Sequence, residues 1–301
     1  MIVNRLRSNG RPVSAMGEYM DIVKTISQEL NIKPWQTEAA IKLIDEGNTI
    51  PFIARYRKEA TGSLNDEVLR RFHERLLYLR NLEDKKAQVL GSIEEQGKLT
   101  PELKKAIEAA ATMVAVDDLY RPYRPKRRTR ATIAKEKGLE PLANILLLQM
   151  TKRLPEEEAA AYISEEKGAA TVEEALDGAK DILAEMISDS AEYRTYIRKV
   201  TMNEGKIVSK GRDEKEKSVY ENYYYEEAVS KIPGHRILAI NRGEKEKFLT
   251  VRIEAPEEKI LRYLEKKVIR REDSPMSRLL KDVVEDSYHR LIRLSGKCAM
   301  S

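Results

Sequence analysis

The chain has 301 residues, with 55 Lys and Arg against 50 Asp and Glu and a net charge of +5 at pH 7. This length predicts two or three domains of roughly 100–200 residues each, and the modest positive charge permits nucleic-acid binding without requiring it. A single cysteine, Cys298, excludes an internal disulfide framework, and no apolar run reaches the ~18 residues of a membrane span, so we expect a cytoplasmic protein.

Both ends of the chain lack the patterning of folded segments. Residues 1–19 contain arginines but no continuous apolar region, so they are interpreted as a disordered leader or tag rather than a secretory signal. Residues 296–301 are expected to form an unstructured tail. The regular hydrophobic pattern begins near Met20.

From Met20 to Val200 the pattern predicts a series of helices. Helices are expected over 22–30 and from Pro34 to Gly47, where a left-handed residue can end a helix. Further helix starts are indicated at residues 63–66, at Thr100-Pro101, at Thr129 or Thr132, and at Thr171. This stretch is taken as one helical domain, residues 20–204.

The character of the sequence changes at Gly205. A charged, glycine-containing linker is expected over 205–216, and a second helical region over 205–295. Two apolar runs, 237–240 and 248–253, flank a glycine-containing turn and predict a β-hairpin at about 236–253. Helices are expected from Pro256 to about Arg271 and again from Ser274. The fold is therefore predicted to be mainly α, an elongated multi-helix array with one small β-hairpin.

Residues 121–130 hold six basic side chains, two prolines and no acid, which makes them the main concentration of positive charge. Arginine can bind phosphate oxygens in a bidentate manner, and a tyrosine can stack on a base. The candidate contacts for nucleic acid are Arg121, Tyr123, Arg124, Lys126, Arg127, Arg128 and Arg130. The alternative is a structural loop tethered by the neighbouring acids Asp117 and Asp118, with its tyrosines packed on helices.

A second basic surface is predicted on the helix that follows Pro256. Lys259, Arg262, Lys266 and Arg270 recur every three or four residues, a spacing that places them on one face of a helix. Such a face could follow a phosphate backbone, but a cationic helix face often serves only solubility.

The sequence offers no recognisable catalytic, metal or cofactor site. His73, His235 and His289 lie far apart, and none belongs to a metal-binding pattern. The phosphate-binding glycine motifs are also absent from the sequence. We therefore expect a non-enzymatic protein without a cofactor, and a hydrolase is the least favoured interpretation.

Four long strings carry a resemblance to a known family: residues 49–66 (TIPFIARYRKEATGSLND), 116–134 (VDDLYRPYRPKRRTRATIA), 138–143 (GLEPLA) and 237–242 (ILAINR). They resemble the bacterial Tex family of transcription accessory proteins over about residues 20–295. The resemblance implies an elongated helical N-terminal region with helix-turn-helix-like elements. It also implies that this chain stops before the RNase H-like, helix-hairpin-helix and S1 domains of full-length members.

The resemblance and the basic surfaces together favour a helical module that binds RNA or DNA without sequence preference. The alternative is a protein-interaction scaffold that docks on the transcription machinery or on the missing domains and binds no nucleic acid itself. Membrane binding is not expected.

Overall fold

The structure is a computed structural model that describes residues 14–125, 127–166, 168–212 and 224–293. Within these ranges it contains fifteen α-helices and one antiparallel sheet of three strands, so the prediction of a mainly α fold is confirmed. The chain divides into two compact units, one ending at Val116 and the other beginning at Asp117. The predicted boundary at residue 205 lies inside the second unit.

Among the described residues, the first unit contains six complete helices and the first half of a seventh. They are α1 (Ser14–Leu30), α2 (Pro34–Asp45), α3 (Ile50–Tyr56), α4 (Lys58–Thr61), α5 (Asp66–Glu95), α6 (Pro101–Glu108) and α7 (Met113–Tyr120), of which α7 extends past the division between the units.

The long helix α5 organises the first unit. Its buried stripe steps by three and four residues through Leu69, Phe72, Leu76, Leu79 and Leu82, and it packs against α1, α3 and α6. The amide N–H of Val68 donates a hydrogen bond to the side chain of Asn65 at 2.8 Å, which caps the helix start within the predicted segment 63–66.

The first helix begins earlier than the sequence pattern predicted. Helix α1 starts at Ser14, so residues 14–19 belong to a helix and the expectation of a disordered leader is wrong for them. Helix formers such as Ala15, Met16 and Glu18 extend the helix upstream of the apolar pattern that marks its buried part. Residues 1–13 and the predicted tail at 296–301 lie outside the described residues.

The second unit contains eight further helices and the sheet. The helices are α8 (Arg130–Glu136), α9 (Glu140–Leu148), α10 (Pro155–Ala159), α11 (Val172–Asp189), α12 (Ala191–Glu204), α13 (Gly234–Lys245), α14 (Glu257–Val268) and α15 (Ser277–Asp286). The strands are β1 (Lys206–Gly211), β2 (Tyr225–Ala228) and β3 (Leu249–Glu254). Residues Ser287–Ile292 continue α15 as a π-helical segment.

The main core of the second unit is built around α11. Its buried face includes Ala175, Ala179, Ile182 and Leu183, and this face packs against α8, α9, α15 and the π-helical segment. The amide N–H of Glu174 donates to the hydroxyl of Thr171 at 3.1 Å, so the predicted start of this helix is confirmed.

The sheet has the order β2-β1-β3, and both pairings are antiparallel. Its central strand, β1, occupies the first part of the segment that was expected to be a linker. Ile207 and Val208 are buried there while Lys206 and Lys210 are exposed. Two adjacent β-branched residues favour a strand, and burial of both outweighs the charge of the flanking lysines.

The predicted β-hairpin at 236–253 does not form, although its second strand is present. The second run forms β3, but the first run lies in α13, which begins after Pro233 and buries Ile240 while Leu238 stays exposed. Strand β3 pairs with β1, earlier in the chain, with Val251 opposite Ser209. Because β1 supplies the partner strand, residues 237–240 are free to form a helix that packs on β3.

Candidate nucleic-acid interface

The basic segment 121–130 forms a turn between α7 and α8. The amide N–H groups of Tyr123 and Arg124 donate to the carbonyl of Tyr120 at 2.9 and 3.0 Å, which continues the chain from α7 into a tight turn. At the other end, the amide N–H of Thr132 donates to the hydroxyl of Thr129 at 3.0 Å. The segment is therefore fixed at both ends by local hydrogen bonds, and Thr129 is the cap among the two predicted candidates.

A network of ion pairs holds this turn against α11 and α12. Arg121 binds Asp189 at 3.1 Å. Asp118, which is buried, accepts hydrogen bonds from Arg194 at 3.2 Å and from Arg198 at 2.7 Å. Asp118 was considered as a tether for the basic segment, but it binds α12 instead. The sequence signal for this pairing is the spacing of Arg194 and Arg198, four residues apart on one face of α12.

Burial is the largest influence on the pKa of Arg194 within this network. Burial lowers the pKa of Arg194, the nearby charge of Arg121 lowers it further, and the attraction of Asp118 opposes both. A guanidinium stays protonated under such a shift because its ordinary pKa is so high. Arg194 is thus a charged group held inside the unit by its carboxylate partner, and it also donates to the carbonyl of Ser188 at 3.0 Å.

The remaining basic residues of the segment differ in their partners. Arg128 pairs with Glu136 at 2.9 Å, with both side chains largely exposed. Arg124 and Arg127 are exposed, and no carboxylate among the described residues pairs with either. Lys126 lies outside the described residues. Tyr123 is half-buried, which limits the ring surface that it could offer to a base.

Arg130, the first residue of α8, lies at the edge of an acidic cleft. The cleft has a volume of about 270 Å³ and is lined by Arg130, Lys180, Arg290, Val283 and four aspartates, Asp177, Asp181, Asp282 and Asp286. Arg290 binds Asp181 at 2.7 Å and Asp286 at 2.6 Å. The four aspartates outnumber the three cations of the lining, so a phosphate approaching Arg130 would also meet negative charge.

Three of the four cations of the second predicted surface lie on α14, and two of these three are paired. Lys259 binds Glu204 at 2.5 Å, and Arg262 binds Glu258 at 2.5 Å. The carboxylate of Glu204 accepts a hydrogen bond from the ammonium group of Lys259, and this bond raises the pKa of Lys259. Lys266 is exposed and has no carboxylate partner among the described residues.

Arg270 does not lie on this helix face, so that part of the prediction is wrong. Helix α14 ends at Val268 rather than near Arg271. The buried side chain of Gln149 accepts hydrogen bonds from the amides of Arg270 and Arg271 at 3.1 and 3.2 Å, and its own amide donates to the carbonyl of Val268 at 2.9 Å. These bonds replace the next helical turn, and Arg270 therefore extends from a non-helical segment.

Helix α12 binds both α7, directly before the basic segment, and α14. Arg194 and Arg198 attach it to Asp118, before the basic segment, while Glu192 binds Lys267 of α14 at 2.7 Å. Next to this pair, Tyr263 of α14 stacks on a tyrosine of α12, Tyr196, with ring centroids 3.6 Å apart. A second α12 tyrosine, Tyr193, meets the Tyr263 ring edge-on.

At this contact the negative charge of Glu192 compensates the positive charge of Lys267. Hydrogen bonds from Lys267 and from the hydroxyl of Tyr263 lower the pKa of Glu192. A cation that is matched in this way is less available to an external phosphate. The structure therefore separates the described predicted cations into two groups. The paired residues are Arg121, Arg128, Lys259 and Arg262, and the exposed residues without a carboxylate partner in the described parts of the chain are Arg124, Arg127, Arg130, Lys266 and Arg270.

Two further observations concern other kinds of site. Across the described residues, no group of three or more His, Cys, Asp and Glu side chains is arranged to hold a metal ion. None of the helices in those residues is both long enough and apolar enough to cross a membrane.

Comparison with protein families matches two parts of the chain. A family model described as "Tex-like protein N-terminal domain" matches residues 20–94. A second, described as "Tex central region-like", matches residues 151–297. The basic segment 121–130 lies between the two matched regions.

Curated relatives match across both regions. The "Uncharacterized protein YdcI" of Bacillus subtilis is 47% identical over 277 residues, which cover 89% of this chain and 38% of the relative. The "Transcriptional accessory protein Tex" of Neisseria gonorrhoeae is 46% identical over 235 residues, or 77% of this chain and 31% of the relative. The human "S1 RNA-binding domain-containing protein 1" is 32% identical over 244 residues, or 77% of this chain and 24% of the relative.

The chain thus spans between about a quarter and two fifths of the length of these relatives. The two family matches and the relatives indicate the same family as the residue strings described under the sequence analysis. The chain belongs to the Tex family.

Proposed function

We propose that this chain is a non-enzymatic helical module of a cytoplasmic transcription accessory protein and that it binds RNA or DNA without sequence preference. Relatives named for transcription accessory function and for an S1 RNA-binding domain support an association with nucleic acid. The observation that carries the proposal is the exposure of Arg124 and Arg127 and their lack of ion pairs among the described residues. Both are exposed in a turn whose ends are anchored, and neither pairs with a carboxylate of the described residues.

The anchoring of the turn favours binding because it reduces the conformational entropy that the turn loses when it binds a phosphate. The ion pair of Arg121 with Asp189 and the cap at Thr129 hold the backbone on both sides of the exposed arginines. A guanidinium on a fixed backbone loses less conformational freedom when it binds a phosphate than one on a mobile chain. Lys266 and Arg270 extend the same chemistry to the end of α14.

The experiment is a salt titration of binding. The chain is mixed with a short labelled RNA or DNA, and the dissociation constant is measured by fluorescence anisotropy over a range of salt concentrations. Each phosphate contact lowers the slope of log K against log salt by roughly 0.7–0.9. We expect the double variant Arg124→Gln/Arg127→Gln to bind more weakly and to make this slope less negative by about one to two units.

The matched control removes two paired cations. In Lys259→Gln/Arg262→Gln the charge loss is the same, but both side chains already bind glutamates of this chain. A smaller change in slope is therefore expected. Equal effects of the two double variants would contradict the assignment to Arg124 and Arg127 and would leave only a general charge effect.

A protein-interaction scaffold is the second candidate, and one observation favours it. Four of the predicted contact residues, Arg121, Arg128, Lys259 and Arg262, already pair with carboxylates of this chain. If the wild-type chain binds no oligonucleotide even at low salt, this scaffold function replaces the proposal.

A further inference from the structure

An exposed aromatic and cationic surface lies in the first unit, away from the basic segment in the sequence. It is formed by α3 and the start of α4, and we define it by Phe52, Arg55, Tyr56, Arg57 and Lys58. All five side chains are exposed. In a helix of seven residues, Ile50–Tyr56, only Ile53 is buried. Ile53 therefore anchors the helix, Ile50 and Ala54 are half-buried, and Phe52, Arg55 and Tyr56 are available to a partner.

The exposed rings are the unusual feature of this surface. Tyr56 is 68% exposed, although aromatic side chains normally bury most of their area. Phe52 is 37% exposed, so part of its ring also reaches the surface. Their ring centroids are 5.3 Å apart with the planes tilted by 44°. Residues 52, 55 and 56 share one face of the helix, so Arg55 lies on the same face as both rings.

The positive charges of this surface have no carboxylate partner in the parts of the chain that the structure describes. Among the described residues, no acid forms an ion pair with Arg55, Arg57 or Lys58. The guanidinium of Arg57 lies over the ring of Phe52, 5.5 Å from its centroid. Residues 50–58 contain no Asp or Glu, and the nearest acids in sequence are Glu46 and Glu59. In contrast, four of the cations predicted as contacts in the second unit are paired.

This combination identifies the chemistry of a partner. Unpaired cations favour a polyanion, and exposed rings favour a partner that presents flat apolar faces. Single-stranded nucleic acid has both properties, because its bases are free to stack on aromatic side chains while its phosphates bind arginine. A duplex hides the faces of its bases, and an acidic peptide offers charge without such faces.

We propose that Phe52, Arg55, Tyr56 and Arg57 form a contact site for single-stranded nucleic acid. A base stacks on the ring of Tyr56, and the adjoining phosphates bind Arg55 and Arg57. This inference rests on the proposed nucleic-acid binding of the chain, and it adds a second contact and a preference for unpaired strands.

The test compares variants of the whole chain with a short labelled oligouridine and with a duplex of the same length. We expect Tyr56→Ala to weaken oligouridine binding about fivefold or more, because the stacking contact with one base is lost. Tyr56→Phe should retain wild-type affinity, since it keeps the ring. Duplex binding should change little in either variant. Tyr56 is exposed, so its replacement is not expected to unfold the chain, and circular dichroism checks this.

The charge contribution is tested with a matched pair of double variants. Arg55→Gln/Arg57→Gln should weaken oligouridine binding, whereas Lys104→Gln/Lys105→Gln removes the same charge from exposed positions on α6 and should have a smaller effect. Ultraviolet crosslinking of thiouridine-containing RNA, followed by mass spectrometry, should identify a peptide that contains Tyr56.

The outcomes distinguish this inference from the proposed function. If the wild-type chain binds oligouridine but Tyr56→Ala binds equally well, the stacking site is wrong and the proposed function stands. If Tyr56→Ala loses duplex and single strand equally, the preference for unpaired bases is wrong. If an oligoglutamate peptide competes as well as oligouridine does, the surface recognises an acidic protein segment instead. Absence of any oligonucleotide binding would overturn both proposals.

Discussion

At the level of single residues, one buried amide side chain determines where α14 ends. Gln149 is fully buried and has a left-handed backbone, with φ 54°. Its side chain binds the amides of Arg270 and Arg271 and the carbonyls of Leu147 and Val268. It therefore supplies the partners that the backbone would otherwise lack at the end of the helix, where terminal carbonyls have no helical partner.

Replacing Gln149 by Leu should lower the free energy of unfolding by about 2–4 kcal/mol, because buried backbone groups lose their partners. Gln149→Gly is the informative second variant, because glycine suits the positive φ but forms none of these bonds. Urea unfolding of both variants and of Gln88→Leu, an exposed control on α5, measures the effect. A Gly variant as stable as the wild type would contradict this prediction, because relief of the backbone strain would then fully offset the loss of the side-chain hydrogen bonds.

At the level of elements, α12 depends on its buried ion pairs with Asp118. The carboxylate of Asp118 is buried, and Arg194 is only 11% exposed. Asp118→Asn would leave two arginines without their anion, and breaking a buried pair in this way typically costs about 3–5 kcal/mol. We expect a large loss of stability and looser attachment of the turn that carries Arg124 and Arg127.

Arg128→Gln provides the contrast for this prediction. Its pair with Glu136 is exposed on both sides, and such pairs contribute less than about 1 kcal/mol. Urea unfolding of the two variants should therefore differ strongly. Similar losses of stability in both would argue against a structural role of the Asp118 network.

The same elements show which features the sequence predicts and which it does not. Helix starts at Thr100, Thr129 and Thr171 were predictable, because each cap joins residues three positions apart. The end of α14 was not, because it depends on Gln149, which lies about 120 residues earlier in the chain. The pairing of Asp118 with Arg194 likewise joins distant residues: the spacing of Arg194 and Arg198 predicts a cationic helix face but does not identify Asp118 as its partner.

The mistaken hairpin has a related cause. The apolar run 237–240 fits either a strand or a buried helix, since a short run carries no clear period. The choice depended on β1, which pairs with β3 and leaves the run without a strand partner. For the candidate site, the sequence located the cations but not their carboxylate partners. It also gave no signal that Phe52 and Tyr56 would be exposed, because exposure is a property of the packed unit.

At the level of the whole molecule, the division at Val116 predicts two units with separate cores. Phe72, fully buried on α5, belongs to the first unit. Phe72→Ala should destabilise that unit by about 3–5 kcal/mol. Hydrogen exchange should then speed up in α5 while the amides of α11 keep their protection, as expected for units that open independently.

Leu183→Ala, in the core of the second unit, is the reciprocal variant. It should accelerate hydrogen exchange in α11 while the amides of α5 keep their protection. Faster exchange in both helices after either substitution would show that the two units unfold as one cooperative body.

The order of the sheet has a consequence for synthesis of the chain. The central strand, Lys206–Gly211, is made first, and both of its partners follow it. At translation rates of roughly 5–20 residues per second, about 2–9 s pass before the end of Leu249–Glu254 emerges. During that interval at least one edge of the nascent strand is unpaired and is able to join another chain. Lys206 and Lys210, exposed at its two ends, place charge where such a wrong pairing would begin.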